Sequence, residues 1–449
     1  MDNEIIKRLT LQGYEALYVG GMVRDHLLGK ESNDIDIATS ASAEQVRDVF
    51  ADCRVDEVGK TFGVMIVNGI EVAMFRSEKY DIQSKPTVEQ ATSFYEDASR
   101  RDFTINAMAM TIDNRIIDYF EGEKDIKNRI IRAVGNPDMR FLEDPSRILR
   151  AVYLASKLGF DIEKNTLESM RKCGHYLNNT PNELKGKIVN KVIKYNCLSR
   201  FVEILETADL LDYIFPEISH TVGVNQNPEY HHLNVFEHIL AVINAVEKNE
   251  SSTISNVMSL SALFHDNAKG LEGVRGVNNK GLPNDLGHEE AGVDRAIRAI
   301  KRIGLGNKVA SDVGFIVRFH GIRLPARPKN RSVLRVLRKI VPYCRSKSEL
   351  KNRMKQLYDF MYFDNQGFNP KFREVHESVL TSSYPVVEYV LDEFIFYRDE
   401  LPVDGKYLMS RGLKGKEIGD TLDLLVSLNM RTKEEVDQYL HRKLLKNFN

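Results

Sequence analysis

Asp34 and Asp36, two residues apart, are the first side chains in this sequence with the makings of chemistry. In a strand, positions i and i+2 point the same way, so the two carboxylates project from one face. Convergent carboxylates repel unless a cation lies between them, and Mg²⁺ is the usual hard, oxygen-seeking candidate. Just upstream, Gly20 and Gly21 open a short helical stretch containing Arg24. Glycine lets the backbone approach a ligand closely, and a helix N-terminus favours phosphate. Phosphate beside paired acids points to metal-assisted nucleotidyl transfer. Alone, an Asp-x-Asp pair more often marks a loop-to-strand connection with two solvated acids.

The elements that must position these residues change character along the chain. Residues 14–120 mix strand-like runs (YEALYVG, VMIVNGIEVAMF, RIIDYF) with short helical stretches, an α/β pattern. VGKTFGVMIVNGIEVAMFRSEKY reads as a β-hairpin whose second strand points Glu71 at the face of the aspartates. After about Asp138, segments such as PSRILRAVYLASKLGF and NELKGKIVNKVIKY carry apolar residues at three- and four-residue spacing, predicting helices. Glu143, Asp144 and Arg147 are expected within one helical turn, with Asp144 and Arg147 on the same face. Boundaries are expected near Val222–Tyr230 and Leu324–Asn330, and there is no internal repeat.

At 449 residues the chain exceeds one ordinary core, so two to four domains are expected. A composition 42% hydrophobic and 28% charged describes a soluble globular protein. No run approaches the ~20 apolar residues of a membrane helix, and MDNEIIKRL is unlike a secretory signal. Four scattered cysteines read as reduced thiols in a cytoplasmic protein. The net charge of -1 does not advertise nucleic-acid binding, yet Arg323–Gln356 holds twelve Lys/Arg against one acid, Glu349. Such a segment either tracks a phosphate backbone or forms a solvated helix face.

Further motifs follow the opening one in order: Arg100-Arg101-Asp102-Phe103-Thr104-Ile105-Asn106, then IIDYFEGEKDI, then Glu143-Asp144-Pro145-Ser146-Arg147-Ile148-Leu149-Arg150. Together they closely resemble the class II tRNA nucleotidyltransferases, the bacterial CCA-adding enzymes and their poly(A) polymerase relatives. The resemblance implies that Asp34 and Asp36, with Glu71 as third acid, hold two Mg²⁺ ions for catalysis. It implies that Gly20, Gly21, Arg24, Arg101, Asp102, Asn106, Asp144, Arg147 and Arg150 bind the nucleotide, with Asp144 and Arg147 pairing to the base. A carboxylate accepts from the amino group of cytosine or adenine, which uracil lacks. The stretch VGKTFGVMIV and the full-length segment Tyr80–Asp97 favour CCA addition, though Ser84 and Lys85 stand where a more basic loop is expected. Poly(A) addition, or addition of CC or A only, is the alternative.

A second constellation comprises His238, His265-Asp266, His288, His320 and Asp364. Imidazole and carboxylate together suit Mn, Fe, Ni, Mg or Zn, and the spacing fits no structural zinc module. The set resembles the HD phosphohydrolase superfamily, departing from it at Asn267 and Ala268. The resemblance implies four core ligands (His238, His265, Asp266 and Asp364, with Asp359 as rival) and two additional histidines. It implies a divalent transition metal or Mg²⁺, and hydrolysis of phosphoester ends of RNA or small phosphomonoesters. An enzyme acting chiefly as such a hydrolase is the alternative from another class.

The expected architecture is α+β: a DNA polymerase beta-like nucleotidyltransferase head (1–138), a helical neck (139–222), an HD domain (223–370) and a helical tail (371–449). The expected partners are the tRNA acceptor arm, CTP and ATP, with no membrane, and the oligomeric state is open. Arg331, Arg335, Lys339, Lys406, Lys414 and Lys416 are the expected RNA contacts, Lys414 and Lys416 through a Gly-Leu-Lys-Gly-Lys turn that equally suits a helix cap.

Overall fold

Period-two apolar runs in the first third of the chain build a sheet, and period-3.6 runs beyond it build helices. The structure, a computed structural model, describes residues 3–31, 35–58, 63–79, 87–249 and 256–446. Asp34, Ser84 and Lys85 lie outside the described residues. The chain divides into two compact units, Met1–Ser219 and His220–Asn449.

In the first unit, α1 (Glu4–Leu11) buries Ile5, Ile6 and Leu9 and leads into β1 (Ala16–Val19). There follow α2 (Gly21–Leu27), β2 (Asp36–Thr39), α3 (Ala43–Val49), β3 (Val55–Val58), β4 (Val64–Val67) and β5 (Ile70–Met74). A small hairpin, β6 (Arg76–Lys79) and β7 (Thr87–Gln90), precedes α4 (Phe94–Ser99), β8 (Met108–Met110) and β9 (Ile116–Asp118). Seven strands form one sheet in the order β3-β4-β5-β2-β1-β8-β9. Its central strands β1 and β8 are buried at every position. All neighbours run antiparallel except β2 and β5, whose parallel register sets Asp36 beside Glu71. The expected hairpin is β4–β5, turned by Asn68 and Gly69 at φ 49° and 86°, the pairing a two-residue type I′ turn requires.

Helices α5 (Gly122–Asn128), α6 (Pro137–Glu143), α7 (Ser146–Leu158), α8 (Lys164–Cys173), α9 (Asn182–Lys194) and α10 (Leu198–Thr207) complete the unit with the short α11 (Leu211–Ile214) and α12 (Pro216–Ser219). The apolar stripe of α7, including Ile148, Leu149, Val152 and Ala155, is buried, and α7 packs on α9 and α10. The expectation that Glu143, Asp144 and Arg147 share one helical turn does not hold. Proline disfavours helical backbone in the residue before it. So α6 ends at Glu143, Asp144 is extended (φ −149°, ψ 96°), and α7 begins after Pro145.

The second unit is helical among its described residues apart from one two-residue strand pair. Its helices are α13 (Val235–Glu247), α14 (Asn256–Phe264), α15 (His288–Arg302), α16 (Asn307–Phe319), α17 (Asn330–Ile340), α18 (Lys347–Gln366) and α19 (Pro370–Asp392). The last three are α20 (Gly405–Ser410), α21 (Lys416–Leu428) and α22 (Lys433–Lys446). An Asn234–Glu237 capping box starts α13, which packs on α14 and α18, while α14 and α15 pack on α16. Helix α17 buries Val333, Leu337 and Ile340 and exposes Arg331, Arg335, Arg338 and Lys339. A separate cluster of Leu408, Leu413, Leu425 and Val436 forms the core of the last three helices. No described helix is long and apolar enough to cross a membrane.

Candidate functional site

In the first unit the site forms where β1 ends. Gly20 caps α2 with φ 70° and ψ −134°, backbone that a side chain rarely adopts. A Cβ there would stand 3.3 Å from Arg101 Nη1 and 3.8 Å from Asp36 Oδ2. The glycine backbone, a guanidinium and a carboxylate therefore converge at one point. Glu71 is exposed on β5 in register with Asp36.

Asn106 ties the surrounding charges together. Its Oδ1 accepts from Arg24 Nη1 at 2.8 Å, its carbonyl from Arg101 Nη1 at 3.1 Å, and its Nδ2 donates to Asp102 Oδ1 at 3.3 Å. Arg24 is buried and also pairs with Asp25 at 2.7 Å. Asp102 Oδ2 accepts from Arg150 Nε at 3.0 Å, and Arg150 Nη2 donates to Asp144 Oδ2 at 3.1 Å. Burial would raise the Asp144 carboxyl, but the neighbouring Arg150 holds it below the usual carboxylate range. Arg147 lies elsewhere than the sequence suggested. Its side chain is 6% exposed, donating to Glu143 Oε2 at 2.6 Å and to the carbonyls of Arg140 and Arg100. The half-exposed guanidinium beside Asp144 is that of Arg150.

In the second unit, His238 from α13, His265 and Asp266 after α14, His288 at the start of α15, His320 after α16 and Asp364 from α18 come together. His238 Nε2 lies 3.1 Å from both His265 Nε2 and Asp364 Oδ1, and Asp266 Oδ2 lies 3.3 Å from His265 Nε2. On the other side Asp266 Oδ1 is 3.3 Å from His288 Nε2, which is 3.3 Å from His320 Nε2. The Nδ1 atoms of His265, His288 and His320 sit 2.7–2.9 Å from the carbonyls of Ala262, Asp285 and Val317. Donation there leaves each Nε2 as a lone pair. Lone pairs at 3 Å repel, so the arrangement suits two cations sharing the Asp266 carboxylate. The donor set of imidazole and carboxylate fits a divalent metal at each position. Burial would raise the carboxyl of Asp266, but His265 and Lys269, the latter 2.8 Å away, hold it well below its ordinary value. Asp359, the rival for the last position, pairs with Lys355 on an exposed face.

Residues 16–132 match the family model of the Poly A polymerase head domain, and residues 159–221 that of the "Probable RNA and SrmB- binding site of polymerase A". Both matches fall almost entirely within the first unit. The head's curated relatives include a CCA-adding enzyme of Bacillus pumilus, 42% identical over 46% of this chain and 53% of that protein. Another is the CCA-adding enzyme of Staphylococcus saprophyticus, 36% identical over 51% and 56%. The chain thus spans about half the length of the curated relatives it matches. Among solved structures it is similar to the Bacillus stearothermophilus CCA-adding enzyme in complex with CTP, with TM-score 0.61 and 22% identity over 99% of this chain and 96% of that one. It is also similar to a tRNA nucleotidyltransferase complexed with a primer tRNA and an incoming ATP analog, with TM-score 0.57 and 22% identity over 85% and 99%. At this identity the likeness establishes the α+β fold, and a polymerase head of this kind implies divalent metal.

One residue of the first unit escaped the sequence reading. Asp97, 1% exposed, accepts from Arg100 on one carboxylate oxygen and Arg101 on the other. Its three- and four-residue separation from them on a short helix was the available signal. In the second unit, Arg323 beside Asp364 (3.3 Å) and Gly367 packed on the His238 ring carried no such signal.

Proposed function

We propose that the chain is a cytoplasmic enzyme that adds CCA to tRNA 3′ ends from CTP and ATP, and that its second unit is a phosphoesterase. The observation that carries the first part is the convergence of Gly20, Asp36 and Arg101 in a polymerase head whose curated relatives are CCA-adding enzymes. Asp34, Asp36 and Glu71 would hold two Mg²⁺ ions, which supply charge stabilisation for the attacking and leaving oxygens. The Gly20 backbone admits the phosphates closely, with Gly21 beside it. Arg101, fixed by Asp97 and the Asn106 carbonyl, neutralises their charge. Asp102 and Arg150 hold Asp144, which accepts from the amino group of cytosine or adenine. Arg147 joins the base edge on leaving Glu143, and Arg24 supports Asn106. The neck (139–222), the exposed Arg331, Arg335 and Lys339 of α17 and the tail's exposed Lys406, Lys414 and Lys416 track the acceptor arm through its phosphates. The test is to incubate tRNA lacking CCA with CTP and ATP and sequence the ends. Complete CCA is expected, and growth that stops at CC or runs into poly(A) would overturn the reading in favour of a partial enzyme or a poly(A) polymerase.

The second part rests on the two lone-pair clusters that share Asp266. His238, His265, Asp266 and Asp364 would hold one divalent ion, and Asp266, His288 and His320 another, in an HD domain of residues 223–370. Bound ions supply an activated water and charge neutralisation at phosphorus. The chain's own part is to fix the Nε2 atoms of His265, His288 and His320 inward and to neutralise the substrate's anion with Lys269 and Arg323. In the hydrolysis of a 2′,3′-cyclic phosphate, water oxygen bonds to phosphorus, one sugar P–O bond breaks, and that sugar oxygen takes the proton. Protein loaded with Mn²⁺, Mg²⁺ or Ni²⁺ should cleave such esters, and His265→Ala should not. An equal rate for His265→Ala would refute the assignment.

A further inference from the structure

One row of side chains on α7 has no part in the roles above beyond its first member. Arg150, Tyr153 and Lys157 recur at three- and four-residue spacing, so they lie along one side of that helix. At one end Arg150 holds Asp144. At the other, Lys157 Nζ stands 4.1 Å from the centre of the Tyr195 ring, a cation–π contact. Between them the Tyr153 ring lies 6.2 Å from that of Tyr195, tilted by 49°. Burial pushes the pKa of the Tyr153 hydroxyl up, and Arg24 and Asp25 on α2 are among the charges that reach it.

Tyr195 closes α9 and is 45% exposed, which leaves ring surface for a ligand. Leading to it, α9 exposes Lys187, Lys191 and Lys194, four and three residues apart and hence on one face. The single acid of that helix, Glu183, lies in its first turn, at the far end from the ring. A row of lysines that ends at an aromatic ring suits a single-stranded nucleic acid, with the backbone on the charges and a base on the ring. Bases paired within a stem keep their faces stacked, so the ring calls for an unpaired one. From Arg150 to Lys157 the helix rises about 10 Å, the length of about three stacked nucleotides.

We propose that Tyr195 is the stacking platform for the unpaired base that precedes CCA, engaged while the final A is added, with Lys187, Lys191 and Lys194 holding the backbone on its 5′ side. The proposal rests on the CCA-adding reading and adds to it a contact made through a base rather than a phosphate. With the incoming A at Asp144, the two C nucleotides fill the interval along α7 and the base before them reaches the ring. Stacking tolerates any base, so one platform serves tRNAs that differ at this position.

The experiment uses the full chain and a tRNA that ends in CC and carries 2-aminopurine at the unpaired position before it. Stacking on an aromatic ring quenches the fluorescence of this base, which should therefore fall on binding. Tyr195→Phe, which keeps the ring, should keep the quenching. Tyr195→Ala should lose it and bind the tRNA about tenfold more weakly. Joint replacement of Lys187, Lys191 and Lys194 by glutamine should flatten the dependence of log affinity on log salt by about two. An unaltered slope would remove the lysines from the proposal. Quenching of equal depth in Tyr195→Ala, or a bound parent complex without quenching, would overturn the platform. Either result alongside normal addition of A from ATP would spare the CCA-adding reading. Quenching that follows Tyr195 with no A added would keep the platform and sink that reading instead.

Discussion

Asp97 grips two successive arginines, Arg100 through Oδ1 at 2.6 Å and Arg101 through Oδ2 at 2.8 Å. The carboxylate is almost fully buried while both guanidinium groups keep about a sixth of their surface exposed. One acid thereby aims Arg101 at the Gly20 turn and Arg100 at the backbone of Arg76. Asp97→Asn keeps the shape and removes the charge. It should raise the nucleotide KM about tenfold, equivalent to about 1.4 kcal/mol. Steady-state kinetics with CTP at fixed tRNA would show it, and an unchanged KM would remove Asp97 from the positioning scheme. Stability should fall by about 2–3 kcal/mol, less than for a fully buried pair because the arginines remain partly solvated.

The same pair sets an acid response. Burial would raise Asp97, but Arg101 and Arg100 hold it below the ordinary carboxylate value. A group depressed in the folded state stabilises above its unfolded pKa and loses that contribution as pH falls through the folded one. The stability gap between the parent and Asp97→Asn should therefore be constant from pH 8 to about 5 and narrow below about 4. Urea denaturation at pH 7, 4 and 3 measures it, and a gap that widens with acid would contradict the ion pairing.

Asp266 offers one oxygen to each histidine cluster, so metal content should depend on which ligand is lost. We expect about two ions in the second unit of the parent chain, about one after His238→Ala or His320→Ala, and none after Asp266→Ala. Elemental analysis in an Asp36→Ala background, which silences the head, gives the count. Equal losses from all three variants would show a single centre.

Gly367 closes α18 against the His238 ring, and a Cβ there would fall 2.3 Å from His238 Nδ1. A ring has no flexible end to give way, so Gly367→Ala must turn His238 from its place beside His265. Metal affinity should fall about 10–100-fold, the usual cost of disturbing the support of a ligand. Titration with Mn²⁺ followed by paramagnetic relaxation would reveal an unchanged affinity if this packing is unimportant.

Helix α17 presents Arg331, Arg335 and Lys339 on its exposed face, four residues apart in turn. If they meet phosphates, their joint replacement by alanine should weaken tRNA binding and flatten its dependence on log salt by about two to three. Filter binding from low to high salt reads the slope. An unaltered slope would return this face to plain solvation.

Much of this arrangement was legible because it follows from residue type and period. The Asn68-Gly69 turn announced the β4–β5 hairpin, and three- and four-residue spacing announced α7 and α9. The six residues of the histidine–aspartate cluster were visible as a set through their resemblance, in type and order, to the HD phosphohydrolase superfamily, since a lone helical histidine is more often a core or surface residue. The motif proposed to read the base was less legible. Pro145 breaks the helix expected there, and Glu143 competes with any base for Arg147, a contest between two acceptors that spacing cannot decide. Arg323 and Gly367 were hidden for another reason: their roles depend on which distant ring or carboxylate the fold brings against them. Asp34, half of the opening motif, lies outside the described residues.

The parallel pairing of β2 with β5 has a consequence for how the head comes into being. Asp36 and Glu71 adjoin only because the chain between them runs out through α3, β3 and β4 before returning. That closure must be made against chain entropy before the pairing rewards it. An emerging chain therefore carries Asp36 long before Glu71 can stand beside it. On refolding, affinity for nucleotide should return with closure of the sheet and lag behind the local formation of the β4–β5 turn.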